Sequence, residues 1–199
     1  SLAVAKALKV SRPERLIVFG GPQVPDEGED LLLRNPFIDV AVHGEGERTF
    51  FQVLEAYPSR DWTAIPGISY RRGDGAIVRT PSVPRLRDLS SIPSPYLNGI
   101  FDPLIAANPG ETWSAMWETN RGCPFSCTFC DWGSAVSSKL GSFDLDQVKA
   151  EVRWFAEHRI EFVFCCDANF GILPRDVEIA KAAAESRRCH GFPKALSVQ

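Results

Sequence analysis

The sequence has 199 residues, of which 44% are hydrophobic and 24% charged, and its formal net charge is −3. The length allows one domain or two small ones, and the composition excludes a disordered or collagen-like chain. The slight acidic excess argues against a nucleic-acid partner or an anionic membrane surface. The sequence shows no signal segment and no apolar run near the roughly 20 residues that span a bilayer, which argues against a membrane partner.

Helix and strand patterns alternate over residues 1–57. Five segments are predicted: a helix over 1–10, a strand over 15–19, a helix over 29–34, a strand over 38–42 and a helix over 47–57. Short apolar, β-branched runs between helices are typical of buried parallel strands, so this order predicts an open, doubly wound α/β sheet. In the last helix, Phe50, Phe51 and Leu54 form an apolar stripe.

Glycine-rich turns follow both predicted strands. Gly20 and Gly21 follow the first strand, and Gly44, Glu45 and Gly46 follow the second. Ligands of doubly wound sheets bind beyond the carboxyl ends of the strands, and glycine lets backbone amides approach a bulky ligand. Taken alone, each turn is more typical of an ordinary connection, and the second is also a normal helix start with acidic residues in its first turn.

The middle of the chain, residues 58–111, is rich in proline. It holds eight of the fifteen prolines, so we expect little helix there and a separation between two regular parts. Two alternating runs, 68–72 and 76–80, flank Asp74 and Gly75, which predicts a β-hairpin. The proline-punctuated segment 84–95 is interpreted as a packed linker without chemistry of its own.

Strands and helices alternate again over residues 112–199. Strands are predicted over 112–118, 161–166 and 194–199. One helix has a capping-box-like start at Asp144, and another begins near Pro174 and stops at Gly191. This order predicts the start of a parallel βα barrel, in which catalytic residues lie at the carboxyl ends of the strands.

Three of the six cysteines, Cys123, Cys127 and Cys130, lie within eight residues after the first of these strands. Structural zinc needs four ligands, commonly in two pairs, and no second pair here has suitable spacing. A [4Fe–4S] cluster held by three thiolates leaves one iron for an external ligand, whereas a Cys-x-x-Cys redox site leaves the third cysteine unexplained. Cys165 and Cys166 are interpreted as buried small side chains. Local clustering of cysteines indicates a reducing, cytoplasmic compartment.

The Cys-x3-Cys-x2-Cys motif, with Phe129 before its third cysteine, resembles the radical SAM signature. Together with the glycine turns, it makes the sequence resemble the B12-binding (cobalamin-dependent) radical SAM protein family. The resemblance implies an α/β chain that joins the C-terminal half of a Rossmann-like cobalamin-binding domain to the first βα units of a radical SAM partial TIM barrel. We expect the partial cobalamin-binding domain over 1–57, the β-hairpin and linker over 58–111, and the N-terminal part of the barrel over 112–199.

The resemblance also implies which residues bind cofactors. The expected contacts are Cys123, Cys127 and Cys130 with a [4Fe–4S] cluster, Phe129, Asp167 and Asn169 with S-adenosylmethionine (SAM), and Gly20, Gly21, Gly44, Glu45 and Gly46 with the nucleotide tail of cobalamin. Asp167 and Asn169 follow the second barrel strand, where an acid and an amide suit the SAM ammonium; the alternative is that they build a βα turn. No Asp-x-His motif occurs, so no cobalt ligand is assigned and His43 is interpreted as structural.

The activity implied by the resemblance is that of a radical SAM methyltransferase. One-electron reduction of SAM yields a 5′-deoxyadenosyl radical that removes hydrogen from an unactivated carbon, and methylcobalamin then supplies a methyl group. No catalytic residue is assigned beyond the cluster ligands. The expected partners are a small-molecule or peptide substrate and an electron donor such as flavodoxin or ferredoxin.

Three alternatives remain open. They are a radical SAM enzyme of non-methylating or cobalamin-independent type, a zinc- or Fe–S-bound interaction module, and an inactive fragment. The predicted elements include two strands of a sheet that normally has about five or six, and only two complete βα units. We therefore expect residues 1–199 to be a window across two larger domains, inactive alone and active within the parent protein.

Overall fold

The computed structural model describes residues 1–25, 28–86, 88–125, 127–130 and 140–199. The chain divides into two units, Ser1–Leu86 and Arg87–Gln199. The predicted hairpin lies within the first unit, and the sequence-based division at residues 57 and 111 stays a prediction. Throughout the described residues, no helix is long and apolar enough to cross a membrane.

Helices and strands alternate along the first unit as the sequence predicts. The elements are α1 (Leu2–Ser11), β1 (Val18–Phe19), α2 (Glu29–Arg34), β2 (Val40–Val42), α3 (Glu47–Glu55), β3 (Ile68–Arg71) and β4 (Ile77–Arg79). Within the part of this unit that the structure describes, the strands form one sheet in the order β1-β2-β3-β4. β1 and β2 are parallel, whereas β3 and β4 form the predicted hairpin and run antiparallel to each other, with β3 antiparallel to β2. The parallel pair is therefore followed by an antiparallel edge.

Apolar side chains cover both faces of β2. Successive strand residues point to opposite faces, so Val40 and Val42 lie on one face and Ala41 on the other. The first face packs with Val53, Trp62, Ile65, Ile68 and Tyr70, and the second with Ala5, Ile17, Leu32 and Ile38. Burial of the whole strand fixes the point at which the turn over residues 43–46 begins.

Helix α3 presents an apolar face to solvent. Thr49 and Val53 are buried, whereas the stripe of Phe50, Phe51 and Leu54 is exposed by 44%, 60% and 52%. Helical spacing identifies residues that share a face, but the turn before the helix sets its rotation against the sheet. That rotation brings Thr49 and Val53 onto the core.

The second unit contains a parallel sheet with intervening helices. Its elements are a 3-10 turn (Leu89–Ser91), α4 (Asp102–Ala107), β5 (Ser114–Trp117), β6 (Asn120–Arg121), β7 (Gly141–Ser142), α5 (Leu145–Glu157), β8 (Phe162–Cys165), α6 (Asp176–His190) and β9 (Ala195–Ser197). In the described residues, three strands form a parallel sheet in the order β5-β8-β9, and β6 pairs antiparallel with β7. The predicted βα order of a barrel start is confirmed.

The two long helices begin and end at residues that the sequence indicates. The carboxylate of Asp144 accepts hydrogen bonds from the backbone N–H groups of Asp146 and Gln147 at the start of α5, at 2.9 and 3.0 Å. Helix α6 ends at Gly191, whose φ of 78° lies in the left-handed region that favours glycine. These ends fix where the following loops and strands begin.

One face of the parallel sheet is buried, and the other is open in the described part of the unit. The buried face carries Ala115, Trp117, Val163 and Cys165. The ring of Trp117 meets Phe155 of α5 edge-on, with centroids 5.6 Å apart. Met116, on the opposite face, is 71% exposed. The helices therefore cover one side of the strands, as they do in a βα barrel.

Candidate functional site

The loop that carries the cysteine motif follows the carboxyl end of β5. Cys123 is buried, Cys130 is half-buried and Cys127 is exposed, and all three are free thiols. The backbone N–H of Cys130 donates a hydrogen bond to the C=O of Cys127 over 3.1 Å, which forms a turn. Phe129 is 92% exposed. Ser126, in the middle of the motif, lies outside the described residues.

The three cysteines share one loop but do not converge on one point. Among the described side chains, no three His, Cys, Asp or Glu residues are gathered as they would be around a metal ion. Metal binding itself commonly supplies the free energy that brings ligands together. Three thiols within eight residues are the donor set that Fe–S clusters use, so the residue types fit such a cluster.

Glu118 and Arg121 form a two-point ion pair where the loop begins. Arg121 Nε donates to Glu118 Oε1 over 2.9 Å, and Arg121 Nη2 donates to Oε2 over 2.7 Å. Two parallel hydrogen bonds fix the orientation of a guanidinium, so the pair orders the backbone before Gly122, which has φ 116°. The pair was not predicted; opposite charges three residues apart are the signal that indicates it.

Asp167 lies at the end of β8 and is held by the chain that leads into the cysteine loop. Its Oδ1 accepts hydrogen bonds from the N–H groups of Thr119 and Asn120, at 2.7 and 3.1 Å. Its Oδ2 accepts from Thr119 Oγ1 at 2.5 Å and from Asn120 Nδ2 at 2.8 Å. Burial has the largest effect on the pKa of Asp167 and raises it, while these hydrogen bonds act in the opposite direction.

Asn169 approaches the first cysteine of the motif. Its Nδ2 donates to the Sγ of Cys123 over 3.0 Å. The structure therefore brings together two residues that the family resemblance assigns to different cofactors. Two partners of Asp167 were not predicted as part of the site. Thr119 and Asn120 precede Asp167 by 48 and 47 residues, and their contact with it depends on the pairing of β5 with β8.

The adjacent cysteines at the end of β8, Cys165 and Cys166, have unreactive surroundings. Cys165 is fully buried, and burial raises the pKa of its thiol to about 12. Burial also raises the pKa of Cys166. A thiolate is the form that ligates metals, so both residues are poorly suited to that role.

The two glycine turns of the first unit lie side by side. An added Cβ at Gly20 would lie 3.7 Å from Cβ of Val42, the last residue of the neighbouring parallel strand. Gly21 and Gly44 have φ values of 93° and 66°, and an added Cβ at either would meet no atom within 4 Å. Both turns thus expose backbone at one edge of the sheet, where a ligand can approach closely.

Glu45 links the second glycine turn to the chain that follows the hairpin. Its Oε2 accepts a hydrogen bond from the backbone N–H of Leu86 over 2.5 Å, and its Oε1 lies 3.4 Å from Nε of Arg85. The Glu45 side chain is only 17% exposed. This carboxylate is therefore part of the packing of the turn against residues 85 and 86. Gly46, next in the turn, is the N-terminal cap residue of α3.

His43 contacts two other segments of the first unit, β3 and the start of α2. Its Nε2 lies 2.9 Å from Oγ of Ser69 on β3. An added Cβ at Gly28 would lie only 2.5 Å from Cε1 of the imidazole, so the ring packs directly on the backbone at the start of α2. These contacts agree with the structural role that the sequence indicates for His43.

Comparison with characterised proteins gives close relatives along nearly the whole chain. The chain is 47% identical over 201 residues to the 2-(S-pantetheinyl)-carbapenam-3-carboxylate methyltransferase of Streptantibioticus cattleyicolor. It is 48% identical over 201 residues to the cobalamin-dependent radical SAM methyltransferase TokK of Streptomyces tokunonensis. Each match covers 99% of this chain and 29% of the relative. The chain belongs to the cobalamin-dependent radical SAM protein family.

Solved structures of other cobalamin-dependent radical SAM proteins share the fold. The radical SAM methyltransferase TsrM of Kitasatospora setae matches 96% of this chain and 37% of its own, with a TM-score of 0.65 and 19% identity. The cobalamin-dependent SAM radical enzyme OxsB matches 91% of this chain and 26% of its own, with a TM-score of 0.62 and 21% identity. No family model matches the chain. The predicted α/β architecture, a partial Rossmann-like unit followed by barrel βα units, is confirmed.

Proposed function

We propose that the whole protein is a cobalamin-dependent radical SAM methyltransferase that acts on an unactivated carbon of a small-molecule or peptide substrate. The observation that carries the proposal is the Cys-x3-Cys-x2-Cys loop after the first strand of a parallel βα sheet, in a chain 47–48% identical to two methyltransferases. A cytoplasmic location and an electron donor such as flavodoxin or ferredoxin belong to the same proposal. Because the chain spans 29% of these relatives, residues 1–199 alone are expected to be inactive.

Cys123, Cys127 and Cys130 would hold a [4Fe–4S] cluster as thiolates. Three ligands leave the fourth iron for SAM, and the backbone of Phe129 would contact the adenine. When bound, the cluster, SAM and cobalamin would supply the one-electron chemistry and the methyl group. The residues of this chain bind and orient these groups.

The two residues proposed for the methionine end of SAM have different surroundings. The Asp167 carboxylate already accepts four hydrogen bonds, which favours the turn-building alternative for this residue. Asn169 lies beside Cys123 and is only half-buried, so it is the better candidate for a residue next to the cluster.

The cobalamin tail would lie against the adjacent turns at the edge of the first sheet. Gly20, Gly21, Gly44 and Gly46 would contribute backbone groups, because these positions carry no side chain. The Glu45 carboxylate is engaged by Leu86 and Arg85, so we assign its contact with cobalamin to its backbone.

The cluster assignment is tested by substituting a ligand in the full chain. Cys127→Ala should abolish cluster assembly, measured as iron and sulfide content after anaerobic reconstitution, and should abolish the release of 5′-deoxyadenosine from SAM. Cys189→Ala is the matched control, because Cys189 is an exposed thiol outside the motif and should be dispensable. Wild-type levels of deoxyadenosine from Cys127→Ala would overturn the assignment.

The cobalamin assignment needs its own measurement. Reconstituted wild-type protein should release one equivalent of corrinoid on extraction, identified by its absorption spectrum. Protein that takes up iron and sulfide but no corrinoid would support a cobalamin-independent radical SAM enzyme. About one zinc per chain without iron or sulfide would instead support an interaction module.

A further inference from the structure

The loop that follows β8 contacts the cysteine loop through two side chains. Asp167 accepts four hydrogen bonds from Thr119 and Asn120, and Asn169 donates one to the Sγ of Cys123. Residues 119 and 120 lie four and three residues before Cys123, the first cysteine of the motif. Asp167 and Asn169 are two residues apart in the loop after β8. Their contacts therefore attach this loop to the start of the cysteine loop.

We propose that Asp167 and Asn169 are positioning residues for the cluster loop, Asp167 by fixing the backbone before the motif and Asn169 by hydrogen bonding to the Cys123 thiolate. The part concerning Asn169 rests on the proposed function, since it takes Cys123 as a cluster ligand. The part concerning Asp167 holds for the protein without any cofactor.

Asp167 is suited to fix a backbone and has little capacity left for a ligand. It is 1% exposed, and each of its two oxygens accepts two hydrogen bonds, which is the full capacity of a carboxylate. Two of the donors are consecutive backbone N–H groups, so the carboxylate defines the conformation of residues 119 and 120. A SAM ammonium would have to displace one of these buried donors.

Asn169 is held in place by a loop that is itself well fixed. Asp176 Oδ2 accepts hydrogen bonds from the N–H groups of Gly171 and Leu173, at 2.8 and 2.9 Å. The N–H of Phe170 donates to the C=O of Gln199 over 2.8 Å. The backbone on the C-terminal side of Asn169 is thus attached to both α6 and the end of β9, which limits the movement of its amide.

A hydrogen bond to a ligating thiolate changes the electronic properties of a cluster. Hydrogen bonds to the sulfurs stabilise negative charge, and reduction adds a negative charge, so they raise the reduction potential. A hydrogen bond to a charged acceptor is stronger than one to a neutral acceptor, so the loss of this donor affects the more negative, reduced cluster more than the oxidised one. Loss of the Asn169 donor should therefore raise the ratio of oxidised to reduced cluster about tenfold at a fixed solution potential, which equals a 59 mV shift.

The test for Asn169 is a potentiometric titration of the reconstituted full chain, followed by electron paramagnetic resonance. Asn169→Leu removes the donor and should lower the potential, and Asn169→Asp should lower it further because it adds a second negative charge. Asn169→Gln keeps a donor and should partly restore the potential. Asn98→Asp introduces the same charge at an exposed amide outside the cysteine loop and the loop after β8, and it should leave the potential unchanged.

The outcomes separate this inference from the proposed function. A wild-type protein without a [4Fe–4S] signal contradicts the proposed function. A wild-type protein with that signal, and Asn169 variants with unchanged potentials, overturns the role of Asn169 alone. Both Asn169→Leu and Asn169→Gln should still assemble a cluster, because the three thiolate ligands remain. Failure of both variants to assemble a cluster would therefore also overturn the role of Asn169.

Asp167 is tested in the protein without cofactors. Asp167→Ala removes both acceptor oxygens, so the backbone N–H groups of Thr119 and Asn120 lose their hydrogen-bond acceptor. Amide hydrogen exchange at residues 119 and 120 should become at least tenfold faster than in the wild type. The control is Asp146→Ala, which removes an exposed carboxylate at the start of α5. Asp167→Asn, whose remaining oxygen can still accept from both N–H groups, should have a smaller effect. Unchanged exchange in Asp167→Ala would overturn the role of Asp167, whatever the cofactor content of the protein.

Discussion

The indole nitrogen of Trp117 donates a hydrogen bond to Oε2 of Glu151 over 2.6 Å. Both side chains are buried between β5 and α5, and Gln147 Nε2 lies 3.3 Å from the other carboxylate oxygen. A buried carboxylate is stable only when its oxygens are hydrogen-bonded, so this contact joins the strand before the cysteine loop to the helix after it.

Removing the indole should therefore destabilise the second unit. We expect Trp117→Phe to lower the free energy of unfolding by about 2 kcal/mol, because it leaves a buried carboxylate oxygen without its donor. Glu151→Gln keeps an acceptor for the indole and should cost less than about 1 kcal/mol. Because Glu151→Gln keeps the contact, the coupling between the two residues is measured by urea unfolding of Trp117→Phe, of Glu151→Leu, which has no acceptor, and of their double variant. Additive effects would contradict a direct interaction.

Gly28 should be sensitive to any added side chain. Its backbone conformation is helical, yet an added Cβ would lie 2.5 Å from Cε1 of His43. Gly28→Ala must displace the imidazole and break its contact with Ser69, so we expect a loss of about 2 kcal/mol in urea unfolding.

A glycine with free space around it is the control for this substitution. An added Cβ at Gly73, in the hairpin turn, would meet no atom within 4 Å, and its φ is not positive. Gly73→Ala should therefore change the free energy of unfolding by less than about 0.5 kcal/mol. Equal effects of the two substitutions would show that the imidazole does not restrict position 28.

Local signals in the sequence predict much of the fold. The boundaries of α2 agree with the structure because an acidic first turn and a basic last turn mark both ends of this helix. The start of α5 is predicted by its Asp144 cap and the end of α6 by Gly191. The three motif cysteines are recognised by spacing alone, since this spacing belongs to one loop.

Contacts between distant residues explain what the sequence does not predict. The pairing of Asp167 with Thr119 spans 48 residues and depends on β5 lying next to β8. Phe50 and Phe51 share a helical face, but periodicity does not tell whether that face meets the core. Exposure of such a face follows from how the turn rotates the helix, which only the packed structure defines.

Glu45 should restrain the segment after the hairpin. Glu45→Ala removes the acceptor for the N–H of Leu86, so hydrogen exchange of that amide should become at least tenfold faster. Glu45→Gln keeps an acceptor oxygen and should have a smaller effect. Glu55→Ala, at the exposed end of the following helix, is the control and should not change the exchange of Leu86. Fast exchange of Leu86 in the wild type would contradict the restraint.

The half-buried phenol of Tyr96 and the buried thiol of Cys165 should make the stability of the second unit depend on pH in the alkaline range. Burial raises the pKa of Tyr96 to about 12 and that of Cys165 to about 12, from ordinary values of 10.0 and 9.0. The phenol also donates a hydrogen bond to the backbone C=O of Met116, which requires its proton. The folded state therefore keeps two protons that the unfolded chain releases at lower pH.

Unfolding free energy should consequently fall as pH rises from about 9 to 12. Below about pH 9, Tyr96 and Cys165 are protonated in both the folded and the unfolded chain, so their contribution to stability is fully present. At higher pH they ionise first in the unfolded chain, which favours unfolding. This loss continues until the two groups ionise in the folded chain as well. Urea unfolding at several pH values across this window measures the slope. Tyr96→Phe and Cys165→Ala should each reduce it, whereas Tyr57→Phe, at an exposed tyrosine of the first unit, should not. A slope that both variants leave unchanged would show that other groups cause the alkaline loss of stability.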